Sequence, residues 1–322
     1  MCIRDSHNAT YESAYELCSH PKKKTHRHGE FSSWDESKVH MLTHTLHYGM
    51  GVFEGVRAYS SSDHHGNVFR LQDHTDRLFS AAEKIDLKIP FSKDQINSAQ
   101  IETLLKNNLT EGYIRPIVFL GNESMGLRAK DLSVNVAIAC WEWPSYLDPE
   151  KKEQGIDIIK SAYNQYENPL YSNNKIIGTY INSIMALQDA LRKGADEALL
   201  LDKHGNISEG SGENLFIVKN GSLLTPNTDY CLNGITRQSI FEIADSMKLE
   251  ICEAILNIDD LINADEAFFT GTAVEVMPIR SIDNNIIGIG KKGPITDALQ
   301  TKYSQIVQGE DKYFSHWLTE IN

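Results

Sequence analysis

The stretch NNKIIGTYINSIMALQDALRKGADEALLLDKHGNISEGSGENLFIV, residues 173–218, decides the fold. It closes on the apolar run Leu215-Phe216-Ile217-Val218, which has the length and composition of a buried strand. Glu213 stands at the mouth of that strand, between Gly212 and Asn214, where a carboxylate needs a partner because burying an unpaired charge is costly. Upstream, Tyr180, Ile184, Leu187 and Leu191 recur at helical spacing with Gly194 as the stop, which predicts an amphipathic helix. Lys175 precedes that helix. Alone, a loop lysine is ordinarily a solvated surface residue; the pair of Lys175 and Glu213 is more specific.

Pyridoxal phosphate asks a protein for an amine to form a Schiff base, an acid beside the pyridine nitrogen, and donors for its phosphate. Lys175 and Glu213 can fill the first two roles. The surrounding strings are KIIGTY at 175–180, ISEGSGENLF at 207–216 and GITR at 234–237. HTLHYGMGVFEGVRAY at 44–59, YIRP at 113–116 and FTGTAVEVMPIR at 269–280 complete the set. With these in order, the chain resembles the fold type IV pyridoxal-phosphate aminotransferases, and within them the branched-chain amino acid aminotransferases, from about residue 29 to near the C-terminus.

The resemblance implies an α/β (α+β) fold with a smaller N-terminal α/β domain at 29–143 and a larger cofactor-binding domain with a barrel-like sheet at 153–322. It assigns catalysis to Lys175 and cofactor contacts to Tyr180, Glu213, Ile235, Thr236, Thr272 and Arg57, the last as the phosphate clamp. For the substrate it implies Tyr48, Phe53, Trp143 and Tyr146 as aromatic walls with Gly55 beside them. Arg115 would be the cation for a glutamate side chain, and Tyr113 with the amides of Thr272 and Ala273 the seat of the α-carboxylate. The implied reaction exchanges the amino group of L-leucine, L-isoleucine or L-valine with 2-oxoglutarate, in a homodimer or higher homo-oligomer. D-amino acid aminotransferase and aminodeoxychorismate lyase share the lysine and glutamate, and a non-catalytic binding module is the rival of another class.

Single residues have plainer readings. Arg57 follows Glu54 closely enough to pair with it at the surface, Arg115 can pair with a nearby acid, and Trp143 and Tyr146 can simply pack the linker. Thr236 is a natural N-cap, and a helix starting there offers free amides and a positive dipole end to a phosphate. Small residues often follow the lysine in bacterial relatives, whereas Ile176-Ile177 stands here, and that bulk bears on loop packing or on the room left for a cofactor. Ten of the twelve histidines precede residue 75, and His40, His44 and His47 have a spacing that a helix would align for a metal. No acid stands at a matching offset, and the neighbouring pattern is strand and turn, so no metal is expected.

Strands are expected at 67–71, 113–121, 134–140, 156–160, 198–202, 214–218 and 267–270, with helices at 72–85, 93–108, 236–247 and 296–308. The Pro144 region and the polar run after it suggest a linker at 144–152. Residues 1–28 are polar, patternless and unlike the family. The chain of 322 residues carries 44 acidic and 31 basic side chains, a net charge of -13, which argues against nucleic acid or an anionic membrane as partner. Five widely spaced cysteines fit reduced thiols, and no apolar run is long enough for a membrane helix; the expected place is the cytoplasm.

Overall fold

The computed structural model describes residues 24–27, 30–61, 66–143 and 150–321. Two sheets carry the chain. The first has eight strands, in the order Leu318–Glu320, Gly66–Phe69, Val56–Ser60, Gly112–Leu120, Val134–Trp141, Lys24–Arg27 and Glu30–Ser33, with Gly51–Phe53 added on Gly112–Leu120. The C-terminal strand thus returns to the N-terminal sheet, pairing Leu318 with Phe69. Residues 24–27, inside the segment expected to be patternless, form a strand, while 1–23 lie outside the described residues.

The second sheet has nine strands and curls into a half-barrel, with Glu197–Leu201, Ile156–Lys160, Glu275–Ile282, Glu266–Gly271 and Asn214–Lys219 at its centre. The run at 215–218 is buried on both faces. Phe216 and Val218 point into one apolar cluster with Ile240, Ile243 and Leu299, whereas Leu215 and Ile217 enter another with Ile156, Leu261 and Met277. A strand covered on both sides has no polar alternation, which is why these residues read as one continuous apolar block. At its N-terminal end Asn214 pairs with Thr270, so Glu213 and the turn after Gly271 meet at one edge of the sheet.

The helix after Lys175 spans Tyr180–Arg192, but its buried face differs from the expected stripe. Ala186 and Ala190 pack on Ala198 and Leu200, while Ile184 and Leu191 are exposed together with Ile181 and Met185. Alanines let the helix lie close on the strand at 197–201, which turns the larger side chains outward.

Candidate active site

Lys175, Tyr180, Glu213, Ile235, Thr236 and Thr272 line one cavity. Lys175 Nζ donates to the Tyr180 hydroxyl at 2.8 Å. Its loop is tied to the first sheet, with Phe53 N donating to Lys175 O at 3.1 Å and Val52 bridged to Ile176. Ile176 is buried in the core of the first sheet, and Ile177 lies over Gly51, so their bulk goes into packing between loop and sheet. Burial pushes the Lys175 ammonium toward lower pKa, but the Tyr180 oxygen and the Glu54 carboxylate outweigh burial and Arg77, leaving it above its ordinary value.

Glu213 is 7 % exposed and its Oε2 accepts the Gly212 N–H at 3.0 Å. Burial raises its pKa. Across the cavity the helix Ile235–Ser246 begins, with Gly234 as its N-cap. The expected cap, Thr236, is instead the second residue of the first turn. Gly234 holds the cap because a Cβ there would collide with Asn214 Oδ1. Free N–H groups of this first turn, with the dipole behind them, suit an anion.

Arg57, expected as the phosphate clamp, does not line this cavity. Its guanidinium pairs with Glu275 at 3.1 Å, lies 4.9 Å over the Tyr59 ring and reaches the Ala273 carbonyl at 3.4 Å. It braces the turn at 271–275 from outside, and Glu275 holds a φ of 61° there between Arg57 and Lys152. The arginine that does line the cavity is Arg77, from the helix Leu71–Lys84. Glu54, the alternative partner considered for Arg57, is 1 % exposed and takes Arg77 Nε at 2.6 Å and Nη2 at 2.9 Å, with His74 Nδ1 at 2.8 Å. Burial alone would raise Glu54; Arg77 and His74 overcome it and hold the carboxyl far below its usual range. The signal for Arg77 was available in the sequence: it shares the inward face of an amphipathic helix with His74, Leu78 and Ala81, where a cation needs a reason.

Next to the cavity, the substrate candidates form a chain of contacts. The Phe53 ring lies 4.7 Å from that of Tyr180 and 5.8 Å from Lys175 Nζ. Arg115 Cζ stands 4.7 Å over Phe53 and 5.4 Å over Tyr113, and its buried Nε has no hydrogen-bond partner among the described residues. Tyr113 is flanked by Trp143 at 4.8 Å and by Trp141, which sequence reasoning left out, at 5.2 Å. A Cβ on Gly55 would overlap the Tyr113 hydroxyl, so only glycine lets that tyrosine take its place. Tyr48 is not brought in: it is 42 % exposed and its ring packs at a tilt against His44 at 4.5 Å. Tyr146 lies outside the described residues. His44 and His47 do not converge, since His44 is buried against the Gly126 carbonyl while His47 is exposed and bonds to the Met41 carbonyl.

The amino-transferase class IV model matches residues 51–282. The chain belongs to that family. It is 48% identical over 294 residues to the branched-chain-amino-acid aminotransferase of Pseudomonas aeruginosa, covering 91% of this chain and 95% of that one. Among solved structures, a T.th. branched-chain amino acid aminotransferase with pyridoxamine 5'-phosphate superposes with a TM-score of 0.90 at 36% identity, covering 94% and 99% of the two chains. The same enzyme complexed with N-(5'-phosphopyridoxyl)-L-glutamate gives a TM-score of 0.89 at 35% identity over the same shares. As a class IV aminotransferase, the chain has its matched segment reaching into both sheets and including every cavity residue named above.

Proposed function

We infer that the protein is a pyridoxal-phosphate-dependent branched-chain amino acid transaminase, exchanging the amino group of L-leucine, L-isoleucine or L-valine with 2-oxoglutarate. The observation that carries it is the single cavity in which Lys175 Nζ, held by Tyr180 at 2.8 Å, shares walls with Glu213, Arg77 and the start of the helix at 235. That donor set fits the cofactor: an amine for its aldehyde, an acid for its ring nitrogen, and an arginine with free helix amides for its phosphate. When bound, pyridoxal phosphate supplies an electron sink beside the substrate Cα.

The chain's residues do the rest. Lys175 holds the cofactor and then, as general base, takes the proton from the substrate Cα. Tyr180 orients Nζ for this. Arg77, Thr272 and the amides of Ile235 and Thr236 hold the phosphate, while Arg57 supports Ala273 and Glu275 so that the turn keeps its amides in place. Tyr113 and the amides of Thr272 and Ala273 take the α-carboxylate. Phe53, Trp143 and Tyr113 give an apolar wall for a branched chain, and Arg115, whose Nε lacks a partner among the described residues, takes the side-chain carboxylate of glutamate.

The reading keeps two domains, 29–143 and 153–322, and the pairing of Leu318–Glu320 with Gly66–Phe69 ties the second back to the first sheet. The exposed stripe of Ile181, Ile184, Met185 and Leu191 supports a homo-oligomer. Among the described residues no helix is long and apolar enough to cross a membrane. Cys231 is a buried free thiol, which fits the reducing cytoplasm.

A panel of amino donors with 2-oxoglutarate tests the reading. Leucine, isoleucine and valine are expected to lead. Preference for D-alanine, or release of pyruvate from a chorismate-type substrate, would replace it with one of the related activities.

A further inference from the structure

Behind the wall that carries Glu213 lies a second buried carboxyl with no part in the scheme above. Glu197 opens the strand Glu197–Leu201 and is 4 % exposed, without lining the cavity itself. Consecutive amides hold the two acids: Ser211 N donates to Glu197 Oε1 at 3.3 Å and Gly212 N to Glu213 Oε2 at 3.0 Å. Ala198 N adds a bond to Glu197 Oε1 at 2.6 Å. The register places them together, since Gly210 pairs with Leu199 and its N–H donates to Glu213 O at 2.7 Å, folding the turn back on the strand. Consecutive amides thus hold two buried carboxyls side by side, and like charges so placed out of water resist ionising together. A carboxyl can donate to a neighbouring carboxylate only while it carries the proton.

We propose that Glu197 is a positioning residue for the reaction, keeping the proton of a Glu197–Glu213 pair and donating it to Glu213, so that one fixed negative charge faces the ring nitrogen. The purpose rests on the transaminase reading; the proton does not. Glu213 lines the cavity with Lys175, whose charge favours its ionised form, whereas Glu197 lies behind the wall, where burial and the neighbouring Glu213 push its carboxyl upward. The titratable groups facing the pair are Lys175 across the cavity and Glu209 on the same wall, whose carboxyl burial pushes up to about 8 and which is tied to Leu232 N and Gln165. A lone buried Glu213 would have only the Gly212 amide to fix its charge. With Glu197 donating as well, both its orientation and its ionisation are set before a substrate arrives.

The test is chemical unfolding of the full-length protein across pH, with and without pyridoxal phosphate, for wild type and Glu197→Gln. Glutamine keeps an oxygen for the Ser211 and Ala198 amides and offers an N–H to Glu213, so local support survives while the proton is removed. A carboxyl whose folded pKa is raised stabilises at low pH and loses that contribution as pH rises. Between roughly pH 5 and 7, therefore, the unfolding constant of wild type should rise relative to Glu197→Gln by about tenfold per pH unit, the slope for one extra native-state proton. Parallel pH dependences would overturn the proposal, whereas a role in packing alone would leave the slope unchanged. Should Glu197→Gln not fold, infrared spectra of the Glu209→Gln protein read the same proton. A protonated-carboxyl band persisting at neutral pH supports the pair, and its absence overturns it. Neither measurement uses transamination, so a failed donor panel and a failed proton pair remain distinguishable.

Discussion

Replacing Arg77 by alanine separates two duties of one guanidinium. Toward Glu54 it makes a bidentate pair, Nε at 2.6 Å and Nη2 at 2.9 Å, with a carboxylate that is 1 % exposed. Breaking a buried pair by removing one partner costs about 3–5 kcal/mol, because the remaining charge is left without compensation. His74 still bonds to Glu54, and the Arg77 side chain is 16% exposed, so the lower end, about 3 kcal/mol, is expected. Toward the cofactor, loss of a charged hydrogen bond worth about 1.5–3 kcal/mol should weaken pyridoxal phosphate binding roughly 10- to 100-fold. The double variant Glu54→Gln with Arg77→Ala should recover most of the stability, because no buried charge is orphaned, yet none of the affinity. Urea unfolding and equilibrium cofactor binding are the two assays. The pH dependence has a definite sign: Glu54 is held low, so its contribution is present above the unfolded carboxyl pKa of about 4.3 and fades as pH falls further; Arg77→Ala should flatten that acid-side loss. If Arg57→Ala loosens the cofactor more than Arg77→Ala does, the phosphate lies elsewhere and the placement of Arg77 is refuted.

The other predictions follow from the same cavity. Lys175→Ala should fold, hold no cofactor that borohydride can fix to the chain, and lose activity by orders of magnitude; retained colour and full turnover would remove Lys175 from its role. Glu213→Gln keeps shape without charge, so turnover should fall far more than cofactor content, and unchanged turnover would contradict it. Arg115→Ala should impair glutamate and 2-oxoglutarate much more than leucine, since an apolar side chain never uses that cation; steady-state kinetics showing equal damage to both would place the side-chain carboxylate elsewhere.

What the sequence disclosed and what it concealed have separate physical causes. The strand at 214–219 was legible because both its faces are buried, and the site acids around it followed from its mouth. The helix at 180–192 was legible in extent but not in orientation, since Ala186 and Ala190 are too small to mark a buried face against Ile184 and Leu191. Adjacency in VFEGVR offered Glu54 as a partner for Arg57, but Arg57 pairs with Glu275 instead. Glu54 finds its cation 23 residues away, on a helix whose inward side supplies Arg77. The cap moved from Thr236 to Gly234 for a reason no local preference contains, the close approach of Asn214. Contacts between distant segments govern each of these differences, and propensity is silent on them.

Those distant contacts also explain why glycines frame the site. The loop of Lys175 is pressed on the first sheet where Gly49 meets Gly178, and a Cβ on Gly49 would stand 2.6 Å from the Gly178 Cα. Gly178 N donates to Gly49 O at 2.9 Å across the same contact. The backbone of Gly49 is left-handed, with φ at 69°, so alanine there is opposed both by its own conformation and by the neighbouring chain. Lys175 is consequently positioned by two segments at once: the helix at 180–192 through Tyr180, and the strand Gly51–Phe53 through the bond from Phe53 N. The residues proposed for the cofactor lie chiefly beside the second sheet, and those proposed for the substrate on or beside the first. The lysine that must serve both stands where the two sheets touch.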